Sequence, residues 1–331
     1  MKETLRCFKN NEDDINITVV GTDMEKMEDN FTGIDVFYKV GRCKEKGYVD
    51  DILSICLLEK VDVLIPFNTL ELELFAERKN EFEEKGIKVM VASGELSTAN
   101  DKIKMKDFLA TTDIRRPIEF SSEYFHEALN KIHLYDKTLC VKQRQGCGGR
   151  GFRIIGSEDY DTQDKPSGSY ISIEDLEQLF LPFGGQEVLF QEYLPGKEYT
   201  VDMLVNKGEF VCGAVKENSC MENGVARRST IVECPEAMEQ CKEICRLLEL
   251  DGCIGFDLKC GEDGYPYVID INPRLTATVS LLKAGGLNLP WLALKKVLGM
   301  DYQYNNMYAE LGTTIVRRLA DFYYDSEGNR I

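Results

Sequence analysis

The stretch Ile254 to Thr276, IGFDLKCGEDGYPYVIDINPRLT, constrains the fold more tightly than any other part of the chain. Ile254, Phe256, Leu258 and Cys260 alternate with Gly255, Asp257 and Lys259, the period-two pattern of a half-buried strand, and Gly261 to Gly264 supplies turn residues. In the strand that follows, Tyr265, Tyr267, Ile269 and Ile271 are expected on one face and Val268, Asp270 and Asn272 on the other. Folding the hairpin brings Asp257 near Val268 or diagonal to Asp270, so two carboxylates and a carboxamide point into one space, with Arg274 just beyond. Such a set suits Mg²⁺, which takes hard oxygen ligands and shares them with phosphate, and an arginine at its rim can clamp phosphate. The competing reading is an ordinary hairpin whose polar face is only solvated.

A second stretch, LCVKQRQGCGGRGFRIIGS from Leu139 to Ser157, bears on that choice. Gly146, Gly148 and Gly151 fit G-x-G-x-x-G, but Phe152 to Ile155 continues as a strand and no helix starts there. The order strand, glycine loop, strand describes a hairpin flap, not a dinucleotide fingerprint. Its glycines let successive backbone N–H groups approach a polyphosphate unobstructed, and Lys142 on the preceding strand can reach the same phosphates. In VLFQEYLPGKEYTVD, Gln191, Glu192, Tyr193 and Leu194 end a strand between the two modules. That strand edge can offer backbone groups to the rim of a purine, and Glu198 can accept from ribose hydroxyls.

Residues 1–98 read as an α/β unit with strands at Ile15–Val20, Val61–Pro66 and Ile87–Val91 and helices over Tyr48–Lys60 and Leu70–Lys85. Met1 to Asn10 reads as the last turns of a helix, whereas a nucleotide-fold unit opens on a buried strand and a Gly-rich turn; the unit is therefore expected to lack its usual first strand. A helix capped by Asn100 or Asp101 carries Lys102, Lys104 and Lys106 against its dipole, and one of them is expected to face an anion. His126 and His133 share a helical face without further ligands and are expected to be structural or exposed. Further strands are expected at Val211–Val215, Thr230–Val232 and Thr313–Leu319, with helices at Pro235–Leu250 and, broken at Gly285-Gly286, Leu281–Leu298. Lys216, Arg227 and Arg228, in KENSCMENGVARRS, are either anion-holding residues of an acceptor pocket or solvated loop charges.

With 331 residues, 43% of them apolar, the chain can bury more than one core, and a division at 1–98, 99–194 and 195–331 is expected. A net charge of −17 disfavours nucleic acid and anionic membranes as partners but permits a small anion held by convergent cations. No apolar run approaches the ~20 residues of a membrane helix, no secretory leader is evident, and twelve scattered cysteines read as reduced thiols in a cytoplasm.

The glycine hairpin, QEYLPGKEYTVD and FDLK…VIDINPR, in that order, resemble the ATP-grasp superfamily over nearly the whole chain, and most nearly one ATP-grasp half of the carbamoyl phosphate synthase large subunit. Asn100-Asp101-Lys102 matches the segment that supplies the family's first phosphate-binding cation. The resemblance implies an α/β and α+β chain, an N-terminal parallel-sheet domain followed by a small lobe with the flap and a large lobe with the metal hairpin. It implies that Lys102 and Lys142 contact ATP phosphates, that Gly148 and Gly149 close over them, and that Glu192, Tyr193 and Leu194 meet adenine and Glu198 ribose. Asp257, Asp270 and Asn272 would bind Mg²⁺, or Mn²⁺ in its stead, and Arg274, with Lys142, would serve the transferring phosphoryl group. The implied activity is a carboxylate–amine or thiol ligase acting through an acyl phosphate, with small acid and amine substrates and a homodimer or a missing partner subunit. Phosphorylation of a small acid in the manner of carbamoyl phosphate synthase, and a non-catalytic nucleotide-binding module, are the alternatives. The chain departs from the family at Asp270, where Glu is usual, at Asp257, where Glu or Gln is frequent, and at LTATVS after Arg274, which lacks the glycines common there.

Overall fold

The protein is described by a computed structural model over residues 2–25, 33–145, 152–156, 170–173, 175, 176, 187–222, 225–301, 308–318, 323 and 325. Its largest element is a six-stranded antiparallel sheet in the order Pro266–Asn272, Gly252–Cys260, Glu198–Asn206, Glu209–Glu222, Val225–Val232, Thr314–Val316. Strict alternation decides its faces. Tyr199, Val201, Met203 and Val205 point one way, into a core with Phe256, Leu258 and the helix Pro235–Leu247. That helix presents Ala237, Cys241, Ile244 and Cys245 at helical spacing, all fully buried, so the two cysteines are core fillers. The other face is divided along its length. Leu204, Cys212, Ala214 and Cys253 pack under Trp291 of the helix Leu289–Leu298, while Glu198, Thr200 and Asp202 form a polar row beyond them. Each fully buried Leu, Ile or Phe contributes ~1.5–3 kcal/mol to these cores.

The hairpin departs from simple alternation. Asp257 pairs directly with Asp270, Leu258 pairs with Val268, and the register shifts between them, so Ile269 is looped out of the ladder. Val268, expected beside the carboxylates, is therefore buried in the core with Leu258. The bulge keeps Asp270 and Asn272 on the polar face while returning both flanking apolar residues to the interior.

A second sheet runs Glu119–Ser122, Val188–Glu192, Leu139–Gln143, Arg153–Ile155, Tyr170–Ile171, and packs Phe120, Val141 and Phe190 under the helix Phe125–Ile132. Leu139–Gln143 and Arg153–Ile155 are antiparallel, the hairpin that the glycine stretch implies. Gly148 and Gly149 lie outside the described residues. His126 and His133 are both exposed.

The N-terminal unit holds two parallel pairs, Val20–Asp23 with Val36–Lys39 and Val63–Leu64 with Lys88–Val89. The first strand lies later than the expected Ile15–Val20, because the run before Val20 makes no ladder; Val36–Lys39 was not anticipated. Leu70–Lys85 is not one helix but a 3₁₀ turn at Thr69–Glu71 and short helices Leu72–Glu77 and Lys79–Glu83, broken at Arg78 where ψ is 12°. Asn68 caps that turn by accepting from the Leu70 N–H. The chain expected as loop between Val215 and Thr230 is instead the outer part of two long strands.

Candidate active site at the meeting of three segments

The polar row of the large sheet is built by period two. Glu198, Thr200 and Asp202 recur on one strand, Lys216 and Asn218 face them from the next, and Asp257 joins from the other side opposite Thr200. The Thr200 hydroxyl donates to Asp257 Oδ1 at 3.0 Å and accepts from Asn218 Nδ2 at 2.8 Å; Ser229 Oγ donates to Asn218 Oδ1 at 2.7 Å. Asn272 Nδ2 donates to Asp257 Oδ2 at 3.0 Å. Burial, with the negative charge of Asp270 next and that of Glu198 after it, pushes the Asp257 carboxyl up to about 6.

Two other segments reach this hairpin. Asp101 caps the helix Lys102–Leu109 by accepting from the N–H groups of Ile103 and Lys104, which fixes the first turn so that Lys102 Nζ lies 3.0 Å from Asp270 Oδ1. Arg144, just past the strand Leu139–Gln143, holds the other oxygen of Asp101 at 2.6 Å and ties the small-lobe sheet to the same helix. On that strand Lys142 is half-buried and donates to Gln191 Oε1 at 2.6 Å, and Gln191 passes a bond on to Glu119 at 3.1 Å. Burial draws the Lys142 ammonium below its ordinary value, partly countered by the charges of Asp270 and Glu119. Arg274 closes the set, donating to Thr69 Oγ1 at 3.2 Å, to the Leu275 carbonyl at 3.0 Å and to Asn272 Oδ1 at 3.3 Å.

Asp257, Asp270, Asn272, Arg274, Lys102 and Lys142 therefore come together from positions far apart in the chain. Glu198 stands on the same sheet face, half-buried, 3.5 Å from Lys259. Glu192, Tyr193 and Leu194 lead from the small sheet into the large one; the Glu192 N–H bonds the Ile118 carbonyl and the Tyr193 N–H bonds Thr138. Lys104 is exposed, and Lys106 pairs with Asp107 at 2.7 Å while its charge also acts on Glu119, the far end of the Lys142–Gln191 chain of bonds. Lys216 is not a loop charge at all. It is fully buried, bonded to Asp202, to Thr278 Oγ1 at 2.6 Å and to Thr276 Oγ1 at 3.4 Å, while Thr276 donates to Asp202 at 2.7 Å. Gly255 makes room for this: a Cβ there would lie 2.2 Å from Thr276 Cγ2. Arg228 is exposed on the strand Val225–Val232.

As a donor set for a hard cation, two carboxylates directly opposed across a hairpin plus an amide oxygen fit Mg²⁺, and the raised Asp257 carboxyl is the group whose ionisation a divalent cation would restore. Among the described residues no cluster of three or more His, Cys, Asp and Glu offers a rival metal site.

The same layout of sheets is found in the biotin carboxylase domain of 2-oxoglutarate carboxylase from Hydrogenobacter thermophilus, in complex with MgADP and bicarbonate, with a TM-score of 0.69 and 17% identity over 94% of this chain and 70% of that one. A family described as "ATP-grasp in the biosynthetic pathway with Ter operon" matches residues 185–318. This chain has the ATP-grasp fold. Its N-terminal part, residues 2–90, matches the PylC-like N-terminal domain. An L-amino acid ligase from Bacillus licheniformis shares the ATP-grasp fold with it at a TM-score of 0.62 and 13% identity, covering 90% of this chain and 72% of the ligase. The carbamoyl phosphate synthase large chain of Clostridium beijerinckii is 23% identical over 265 residues, 76% of this chain and 23% of that protein. The chain thus spans about a quarter of the length of the curated relatives it matches, and it is similar to one ATP-grasp half of them.

Among the residues that pattern alone did not single out, Thr200 and Asp202 carried a readable signal. They follow Glu198 at steps of two on a strand whose intervening residues are apolar. Thr69 and Asn218 carried none, since their roles depend on contacts between distant segments.

Proposed function

We propose that this chain is an ATP-dependent ligase that activates a small carboxylate as an acyl phosphate and joins it to an amine or thiol. The observation that carries this reading is the convergence of Lys102 and Lys142 on Asp270, beside Asp257, Asn272 and Arg274, on an ATP-grasp scaffold. When bound, Mg·ATP supplies the electrophilic phosphoryl group. Asp257, Asp270 and Asn272 are the residues that would hold the metal. Lys102 exchanges its partner Asp270 for phosphate, and Lys142, poised by Gln191, takes a second phosphate charge. Arg274 is pre-oriented by Thr69 and the Leu275 carbonyl, so its cost of ordering is met before substrate arrives. The backbone of Glu192 to Leu194, apart from the Glu192 and Tyr193 N–H groups already bonded to Ile118 and Thr138, meets the base, and Glu198 accepts from the ribose.

The net reaction balances without an amino-acid nucleophile. A carboxylate oxygen bonds to the γ-phosphorus as ADP leaves, then the amine nitrogen bonds to the acyl carbon as phosphate leaves and gives up its proton. The test is a screen of amino acids and small carboxylic acids, singly and in pairs, for ADP and phosphate release, with mass identification of the product. Ligation predicts release that depends on both acid and amine. Release with acid alone supports phosphorylation of a small acid, the reading favoured by the likeness to carbamoyl phosphate synthase.

A further inference from the structure

Thr69 is the residue of the N-terminal unit whose side chain bonds Arg274, and the turn that carries it is fixed at both ends. Asn68 accepts from the Leu70 N–H at 3.1 Å, and Glu71 accepts from the Tyr48 hydroxyl at 2.9 Å. Thr69 is β-branched, so a fixed backbone leaves its hydroxyl few directions. It is buried, and that hydroxyl accepts from Arg274 Nε at 3.2 Å.

The Thr69 carbonyl is held in turn by Asn100. Asn100 Nδ2 donates to that carbonyl at 3.3 Å and to Glu73 Oε1 at 3.0 Å. A carbonyl and a carboxylate only accept, so the carboxamide must keep its nitrogen toward them. Its oxygen, Asn100 Oδ1, is then buried with no bond partner among the described residues, an arrangement that destabilises the fold. What the two Nδ2 bonds secure against that cost is the turn. Asn100 also ends the helix Leu96–Ala99, its N–H bonding the Leu96 carbonyl at 2.9 Å, and it directly precedes Asp101, the cap of the helix that starts at Lys102. One side chain thus ties the turn that meets Arg274 to the helix start that carries Lys102.

On Arg274, the three guanidinium nitrogens each give one N–H, to Thr69, to the Leu275 carbonyl and to Asn272. Leu275 and Asn272 are near neighbours in sequence and move with Arg274; Thr69 refers the guanidinium to a different segment. Because the group is planar with five N–H donors, fixing Nε fixes its plane and directs the remaining two.

We infer that Thr69 and Asn100 are positioning residues for Arg274, through which the N-terminal unit sets how strongly the site distinguishes ATP from ADP. The inference rests on the proposed function in one respect, that Arg274 meets the phosphoryl group to be transferred. ADP lacks that group, so a misdirected Arg274 weakens ATP, whereas general damage to the fold weakens both nucleotides.

The experiment is calorimetric titration of Mg·ATP and Mg·ADP into the unaltered chain and into Thr69→Val, Thr69→Ser, Asn100→Leu, Thr69→Val with Asn100→Leu, and Arg274→Met. Thr69→Val and Asn100→Leu are each expected to raise the Kd of ATP roughly 10-fold and that of ADP by less than about 3-fold. Thr69→Ser, which keeps the hydroxyl, is expected to bind ATP within about 2-fold of the unaltered chain, and the double variant to be no weaker than the poorer single one, since both changes act on one bond. Equal losses for ATP and ADP, no loss of ATP affinity, a loss in Thr69→Ser as large as in Thr69→Val, or additive losses in the double variant would each overturn the inference. Arg274→Met separates the two levels. If it removes the preference for ATP while Thr69→Val and Asn100→Leu do not, only this inference falls; if it leaves the two affinities in their original ratio, the role of Arg274 falls and the inference with it.

Discussion

Asp257 is the residue on which the electrostatics of the site turn. Its carboxyl titrates near 6 in the folded protein against an ordinary value of 3.8, so between those values the folded chain holds the extra proton. Stability therefore falls as pH rises across that window and is level above it. Asp257→Asn is expected to raise unfolding free energy by about 1–2 kcal/mol at pH 7.5 and to have little effect at pH 4, as urea titrations at the two pH values will show. Because protons compete with a cation for the same oxygens, Mg²⁺ affinity is expected to decline as pH drops below about 6. The buried pair Lys216–Asp202 is a different case. Lys216→Met leaves Asp202 charged in the interior without a counter-ion, bonded by the Thr276 hydroxyl, and should cost roughly 3–5 kcal/mol, whereas Lys216→Met with Asp202→Leu should cost much less. Equal losses in the single and double variants would show that packing, not charge pairing, sets the cost.

At the scale of elements, the site depends on a helix start and a bulge. Asp101 caps two N–H groups and binds Arg144, so Asp101→Ala should destabilise by about 1–2 kcal/mol and weaken nucleotide binding through misplacement of Lys102, read as a larger loss of ATP affinity than of melting temperature. Much of this level is legible in the sequence. Strands, the hairpin flap and the Asp101 cap follow from alternation, glycine and capping chemistry, and Lys102, Lys142, Asp257, Asp270, Asn272 and Arg274 are found together where the order of motifs implies. What was not legible has physical causes. The bulge at Ile269 is set by the need to bury Val268 and Ile271 on one face while Asp270 opposes Asp257, and a strict period-two reading cannot contain it. Lys216 looks like a surface charge because its partners, Asp202, Thr276 and Thr278, are dispersed along the chain.

For the whole molecule, a net charge of −17 means that the nucleotide of the proposed function would be held by local cations against the global field. In that reading Lys102, Lys142 and Arg274 would supply the local charge from different parts of the chain, so binding should draw the segments together and stabilise the fold as a unit. No helix among the described residues is long and apolar enough to cross a membrane. The most direct measurement is the thermal unfolding of the chain with and without saturating Mg·ATP, beside Asp270→Ala and Lys142→Ala. At ligand about 100-fold above Kd the gain is ~2.7 kcal/mol. For a chain of this size that corresponds to a rise in Tm of roughly 5 °C in the unaltered protein, and little or none in either variant. No shift in the unaltered protein, or an equal shift in all three, would contradict the assignment of this site to nucleotide and metal.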